Sequence, residues 1–86
     1  MKIIKIGAIW CGGCLVMNKV WNRLKENYDC EFIEYDYDMD EEEVEKYNVG
    51  NVLPVFIVMD EDRELLRLTG ELSYDELEEK LKEVGI

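Results

Sequence analysis

The sequence predicts an α/β fold, a four-stranded mixed sheet flanked by three helices in the order βαβ–α–ββα. Three observations lead there. The Ile-rich run Lys2–Gly7 passes directly into a stretch with helical periodicity, the start of a parallel βαβ unit. A second apolar run, Val55–Met59, is followed by a polar turn and another strand-like stretch, which makes a hairpin. A capped amphipathic segment then closes the chain. A parallel start and a hairpin finish require a mixed sheet between helices.

The elements follow in order. Lys2–Gly7 reads as a buried strand ending in glycine. Cys14, Met17, Trp21, Leu24 and Tyr28 recur at spacings of three and four, one apolar stripe on a helix of about four turns with Cys11 at its N-terminal end. Glu31–Tyr37, with Phe32, Ile33, Tyr35 and Tyr37, reads as a second strand. Asp40 and Glu43 resemble a capping pair that opens a short helix burying Val44 and Tyr47. Pro54 introduces Val55–Met59, a β-branched and aromatic run with no polar alternation, hence a strand covered on both faces. Asp60–Arg63 is the polar turn and Glu64–Thr69 the returning strand. Ser73 and Glu76 form a capping box, Leu72 and Leu77 the hydrophobic staple, and Gly85 ends the last helix after Leu77, Leu81 and Val84.

The 86 residues form one domain, 1–86, too short for a second core. With 48% hydrophobic residues the chain has enough apolar material to fold despite its charge. No apolar run reaches membrane-spanning length, and a secretory leader is not expected, because Lys5 interrupts the apolar stretch Ile3–Trp10. There is no histidine, so histidine-dependent catalysis and His-ligated zinc are excluded. A net charge of −11 argues against nucleic acid and anionic membranes as partners. Three cysteines are too few for a disulfide scaffold and odd in number, which fits a cytoplasmic protein.

The charge is segregated. Residues 1–25 carry Lys2, Lys5, Lys19, Arg23 and Lys25 and no acid, whereas residues 26–45 carry acids and no base. The acidic block reads as a solvated face. Asp36, Asp38 and Asp40 alternate as in a calcium loop, but the glycine that such a loop needs at its turn is missing.

Trp10-Cys11-Gly12-Gly13-Cys14 stands at the strand-to-helix junction, inside the acid-free segment. A spacing of three on the first helical turn brings two sulfurs within disulfide reach. Cys11, at the helix N-terminus, meets unpaired backbone N–H groups and the positive end of the helix dipole, which favour a thiolate. Cys14 lies one turn further along the apolar stripe and is shielded. That asymmetry suits an attacking thiol, Cys11, and a resolving thiol, Cys14. Zinc would need four Cys or His ligands, and only Cys30 remains to join the pair. Cys30 itself reads as a small apolar filler. Trp21 reads as core, and Tyr28, Tyr35, Tyr37 and Tyr47 as packing with wet hydroxyls.

On these residues the chain resembles the thioredoxin family, from about residue 2 to residue 84. Trp-Cys-Gly-Gly-Cys differs by one residue from the family's Trp-Cys-Gly-Pro-Cys. Pro54, in Asn51-Val52-Leu53-Pro54-Val55, matches the family's proline that opens the third strand, takes the cis form and faces the dithiol. Thr69-Gly70-Glu71-Leu72-Ser73 followed by Leu77 resembles the family's last strand, turn and helix. The resemblance implies a minimal thioredoxin fold and a protein-disulfide reductase, with substrate bound by Trp10, Gly12, Gly13, the backbone of Leu53 and Pro54. It also implies disulfide-containing protein substrates, a thioredoxin-reductase-like electron donor, a monomer, and no cofactor beyond the redox-active Cys11–Cys14 disulfide.

The departures are informative. Longer thioredoxins carry a strand and a helix ahead of the strand that opens this sequence, so a minimal version of the fold is expected. Gly13 replaces the proline of the motif, Leu15 a basic residue, and Lys19 the proline that kinks the helix. Where thioredoxins bury an aspartate beneath the dithiol, alignment back from Cys11 places Lys5; where they pair it with a lysine, alignment of the second strand places Glu34. This suggests a charge-reversed pair in which Glu34 could accept the proton of Cys14, since swapping both charges avoids burying one alone. Lys5 and Glu34 therefore join Cys11 and Cys14 as expected catalytic residues, the alternative being that both are solvent-facing side chains. Two rival readings remain at this point. One is a glutaredoxin-like protein recycled by glutathione, which the length favours and the acidic surface and Gly70-Glu71-Leu72 oppose. The other is a redox-inert module that keeps the fold for binding, with a cysteine-ligated iron–sulfur scaffold more remote.

Overall fold

The computed structural model describes residues 1–8, 11–50 and 52–85. Seven elements follow one another: β1 (Lys2–Gly7), α1 (Gly12–Asn27), β2 (Glu31–Asp36), α2 (Glu41–Lys46), β3 (Val55–Asp60), β4 (Arg63–Thr69) and α3 (Tyr74–Glu83). The sheet order is β2-β1-β3-β4. β1 and β2 run parallel, joined by α1, while β3 is antiparallel to β1 and to β4. The expected order of elements and the mixed sheet are both present.

Strand alternation sorts the side chains into two cores. Ile3, Phe56 and Val58 pack with Met17, Trp21 and Leu24 of α1 and with Leu77 and Leu81 of α3. Ile4, Ile6, Val55 and Ile57 point the other way and pack with Val44 of α2. That division explains why Val55–Val58 is apolar without alternation: both of its faces are covered. A bulge at Val58/Met59 inserts an extra residue in β4, so that the adjacent Leu65 and Leu66 both reach the α1/α3 core. On the other face Arg67 donates to the backbone oxygens of Tyr47 and Asn48 and pairs with Glu64, clipping the end of α2 to β4.

Two local expectations are corrected. Asp40 stands at the N-cap of α2 but makes no side-chain cap bond, because its Oδ2 accepts from the backbone N–H of Asp36, at 2.8 Å. Asp36 Oδ1 in turn accepts from the N–H groups of Asp38 and Met39, so these aspartates are engaged in a turn. Tyr28 lies outside the helical stripe, at the C-cap of α1 in extended conformation. At α3 the expected cap forms as far as Ser73: its Oγ accepts from the N–H of Glu76, while the Glu76 carboxylate accepts from that hydroxyl. Leu77 lies in the α1/α3 core and Leu72 packs against it.

Candidate active site

β1 ends under the first turn of α1, and that junction positions the dithiol. Cys11 is the N-cap of α1, and its Sγ accepts from the backbone N–H of Cys14 at 3.3 Å. A sulfur thus takes the place of the usual capping oxygen, at the end of the helix where the dipole is positive. Cys11 is half-buried and Cys14 only 5% exposed; both are free thiols. Burial pushes the Cys14 thiol up from 9.0 to about 11, and its bond with Cys11 pushes the same way. A backbone hydrogen bond at Ala8 and the nearby Lys5 ammonium pull it back.

The strand beneath is shaped to receive that thiol. A Cβ added at Gly7 would stand 3.1 Å from Cys14 Sγ, 3.3 Å from its Cβ and 3.8 Å from Lys5 Cε. Glycine at position 7 lets the second cysteine settle on β1; a Cβ there would press it back by a few tenths of an ångström. Gly13, one residue before Cys14, has the carboxylate of Glu71 over it, with Oε1 2.9 Å from where a Cβ would be. Glu71 reaches there because the segment after β4 is docked. The N–H of Gly70 donates to the backbone oxygen of Pro54 and that of Leu72 to Met17 Sδ. Gly70 takes φ +86, a left-handed conformation that favours glycine.

Leu53–Pro54 is a cis peptide bond; Pro54 is buried and Leu53 half-buried beside exposed Val52. Trp10, the remaining residue expected at the substrate surface, lies outside the described residues. Gly12 is exposed, with nothing within 4 Å of an added Cβ.

Lys5 is the one charged residue buried among the described residues, at 2% exposure. Parallel pairing places it opposite Glu34, and its Nζ lies 3.0 Å from Glu34 Oε1. The pair is lopsided: the lysine side chain is enclosed while the glutamate side chain is 55% exposed. Nζ also donates to Asn18 Oδ1 at 2.7 Å and sits 5.6 Å from the centre of the Trp21 ring. Asn18 and Glu71 were not singled out from the sequence. Asn18 had one readable signal, its position four residues after Cys14 on α1; Glu71 had none. A recess of about 270 Å³ opens beside Cys14, lined by Lys5, Leu15, Asn18 and Glu34 among others. Among the described residues no group of three or more His, Cys, Asp or Glu side chains is placed to hold a metal ion.

The comparisons agree with this geometry. A family model described as Thioredoxin matches residues 1–83. No curated protein sequence matches the chain. Among solved structures, a Schistosoma mansoni thioredoxin pre-protein is similar at 29% identity and TM-score 0.86, over 96% of this chain and 77% of that one. A Fasciola hepatica thioredoxin is 30% identical, with TM-score 0.82 over 95% and 78%. NaTrxh, a thioredoxin of Nicotiana alata, is 29% identical, with TM-score 0.86 over 95% and 70%. A match over nearly the whole chain, a dithiol capping α1 and a cis-proline opening β3 lead to one conclusion: the chain belongs to the thioredoxin family.

Proposed function

We propose that this protein is a thiol–disulfide oxidoreductase that reduces protein disulfides, with Cys11 as nucleophile and Cys14 as resolving thiol. The observation that carries the reading is the asymmetry of the pair: Cys11 at the half-exposed helix cap, Cys14 one turn in and buried. Cys11, as thiolate, attacks one sulfur of a substrate disulfide; a mixed disulfide forms and the other substrate sulfur leaves as a thiol. Cys14 then loses its proton and attacks Cys11 Sγ. The Cys11–Cys14 disulfide forms, the second substrate sulfur departs, and the substrate has gained two electrons. The dithiol carries both electrons, so the cycle needs no bound cofactor, only a partner dithiol reductase to restore it. Substrate would lie along Trp10, Gly12, Gly13, Leu53 and Pro54. The Glu71 carboxylate over Gly13 and the acidic surface support protein substrates over anionic glutathione. The odd cysteine count supports a cytoplasmic setting.

The reduction potential tests the proposal. The protein is equilibrated in graded thiol redox buffers and its free thiols are counted by mass. A midpoint near about −270 mV agrees with a reductant, and one near about −200 mV favours recycling by glutathione. A midpoint near about −120 mV reverses the assigned direction. If no Cys11–Cys14 disulfide forms at any ratio, the protein is a binding module.

A further inference from the structure

The first turns of α1 lie along β1 so that Cys14 rests on Gly7, while Asn18 and Trp21 flank Lys5. Cys14, Asn18 and Trp21 fall at i, i+4 and i+7, one stripe of the helix. The ammonium is therefore held beneath the same helical face that carries the resolving thiol. No side chain separates the two at Gly7, where one point lies 3.1 Å from Cys14 Sγ and 3.8 Å from Lys5 Cε. The counter-charge is placed differently. Glu34 reaches Lys5 from the sheet edge with most of its side chain in water, which screens the carboxylate more than the enclosed ammonium. Seen from Cys14, the cation is the stronger charge.

We propose that Lys5 is an electrostatic positioning residue for the dithiol, whose buried ammonium stabilises the thiolate that Cys14 must present to resolve the mixed disulfide. The inference rests on the disulfide-exchange reading above and deepens it. The proton of Cys14 leaves to solvent through the adjoining recess. The thiolate attacks Cys11 Sγ, the bond from Cys11 to the substrate sulfur breaks, and that sulfur departs as a thiolate that takes a proton from water. Glu34 takes no part in the proton's path. It holds Lys5 in place and partly offsets its charge, so the two residues of one ion pair act on Cys14 in opposite directions. The other titratable groups around the recess and the thiol are Tyr35 and Asp36 on β2, Asp40 at the start of α2, Cys11, and Glu71, whose carboxylate lies over Gly13. All are left unchanged in the variants below.

The test reads the second thiol release when reduced protein reacts with a chromogenic aromatic disulfide. A Cys30→Ser background confines the signal to the dithiol. Below the thiol's pKa, each unit removes about tenfold of thiolate, partly offset by greater nucleophilicity. Lys5→Met, which keeps the apolar stem, should slow the second phase about three- to tenfold at pH 7 and move its pH profile to higher pH. Lys5→Arg should retain most of the wild-type rate. Glu34→Gln should raise the rate about twofold, with the profile moved to lower pH. A Glu34→Gln rate that is unchanged or lower would overturn the proposal, and a fall of tenfold or more would identify Glu34 as the proton acceptor. A Lys5→Met profile that superimposes on wild type would also overturn it. If Lys5→Met does not fold, the sign of the Glu34→Gln effect decides alone, since that change is made at the exposed end. Failure of wild-type protein to release the second thiol would instead overturn the oxidoreductase reading.

Discussion

The two faces of β1 are nearly equal in burial and opposite in use. Ile4 and Ile6 enter an all-apolar cluster with Val55, Ile57 and Val44. On the other face Ile3 joins the α1/α3 core, but Lys5 and Gly7 follow it, one a buried charge and the other without a side chain. A charge and an empty position give away about the burial energy of two aliphatic side chains, roughly 1.5–3 kcal/mol each. The dithiol sits above that sacrifice. Stability is concentrated on one face of the strand so that the other can hold a thiol, a cation and the space between them.

The sharpest way to break this contrast is Ile4→Ala. It should destabilise the protein by about 2–5 kcal/mol in denaturant titrations. It should leave the pH profile of Cys14 in place in whatever fraction stays folded. Gly7→Ala comes next. The added methyl stands against Cys14 at 3.1 Å, costs about 1–3 kcal/mol as overpacking, and should slow closure of the Cys11–Cys14 disulfide. A loss of stability with unchanged closure would show that Cys14 does not need its seat on β1.

The third prediction concerns pH. The buried thiol ionises at about 11, against 9.0 for an exposed one. Between these values the unfolded chain binds fewer protons than the native one, and stability falls as pH rises through the window. Reduced wild type should therefore lose more stability than Cys14→Ser between pH 8.5 and pH 11. Equal losses would mean that the thiol is not buried in solution. The smallest effect is a gain: Gly12→Ala meets nothing within 4 Å and should add about 0.5–1 kcal/mol through helix propensity.

What could be read from the sequence divides along a physical line. Strands, helices and the positions of Cys11, Cys14 and Pro54 follow from spacing along the chain, because periodicity and local turns are set by near neighbours. The contact of Lys5 with Glu34 joins residues 29 positions apart, and it was the resemblance, which sets them where thioredoxins pair an aspartate with a lysine, that suggested it. The lopsided burial of that pair was not legible, since it depends on β2 being an edge strand and on Asn18 and Trp21 arriving from α1. Glu71 was missed for the same reason: 58 positions separate it from Gly13, and only the docking of the β4–α3 segment brings it there. Asp40 takes the N-cap position the sequence assigns it, but its carboxylate accepts from the N–H of Asp36 in the preceding turn instead of capping α2, a local competition that spacing alone does not decide.

The bulge in β4 has a consequence beyond packing. β4 is a sheet edge, where unpaired N–H and C=O groups invite a strand from a neighbouring molecule. The extra residue breaks the regular ladder partway along, and Arg63, Glu64 and Arg67 place charges on the same short strand. An incoming strand would find only a few residues in register before the edge turns away. The same irregularity that lets two adjacent leucines enter the core thus guards a small α/β molecule against polymerising through its own sheet.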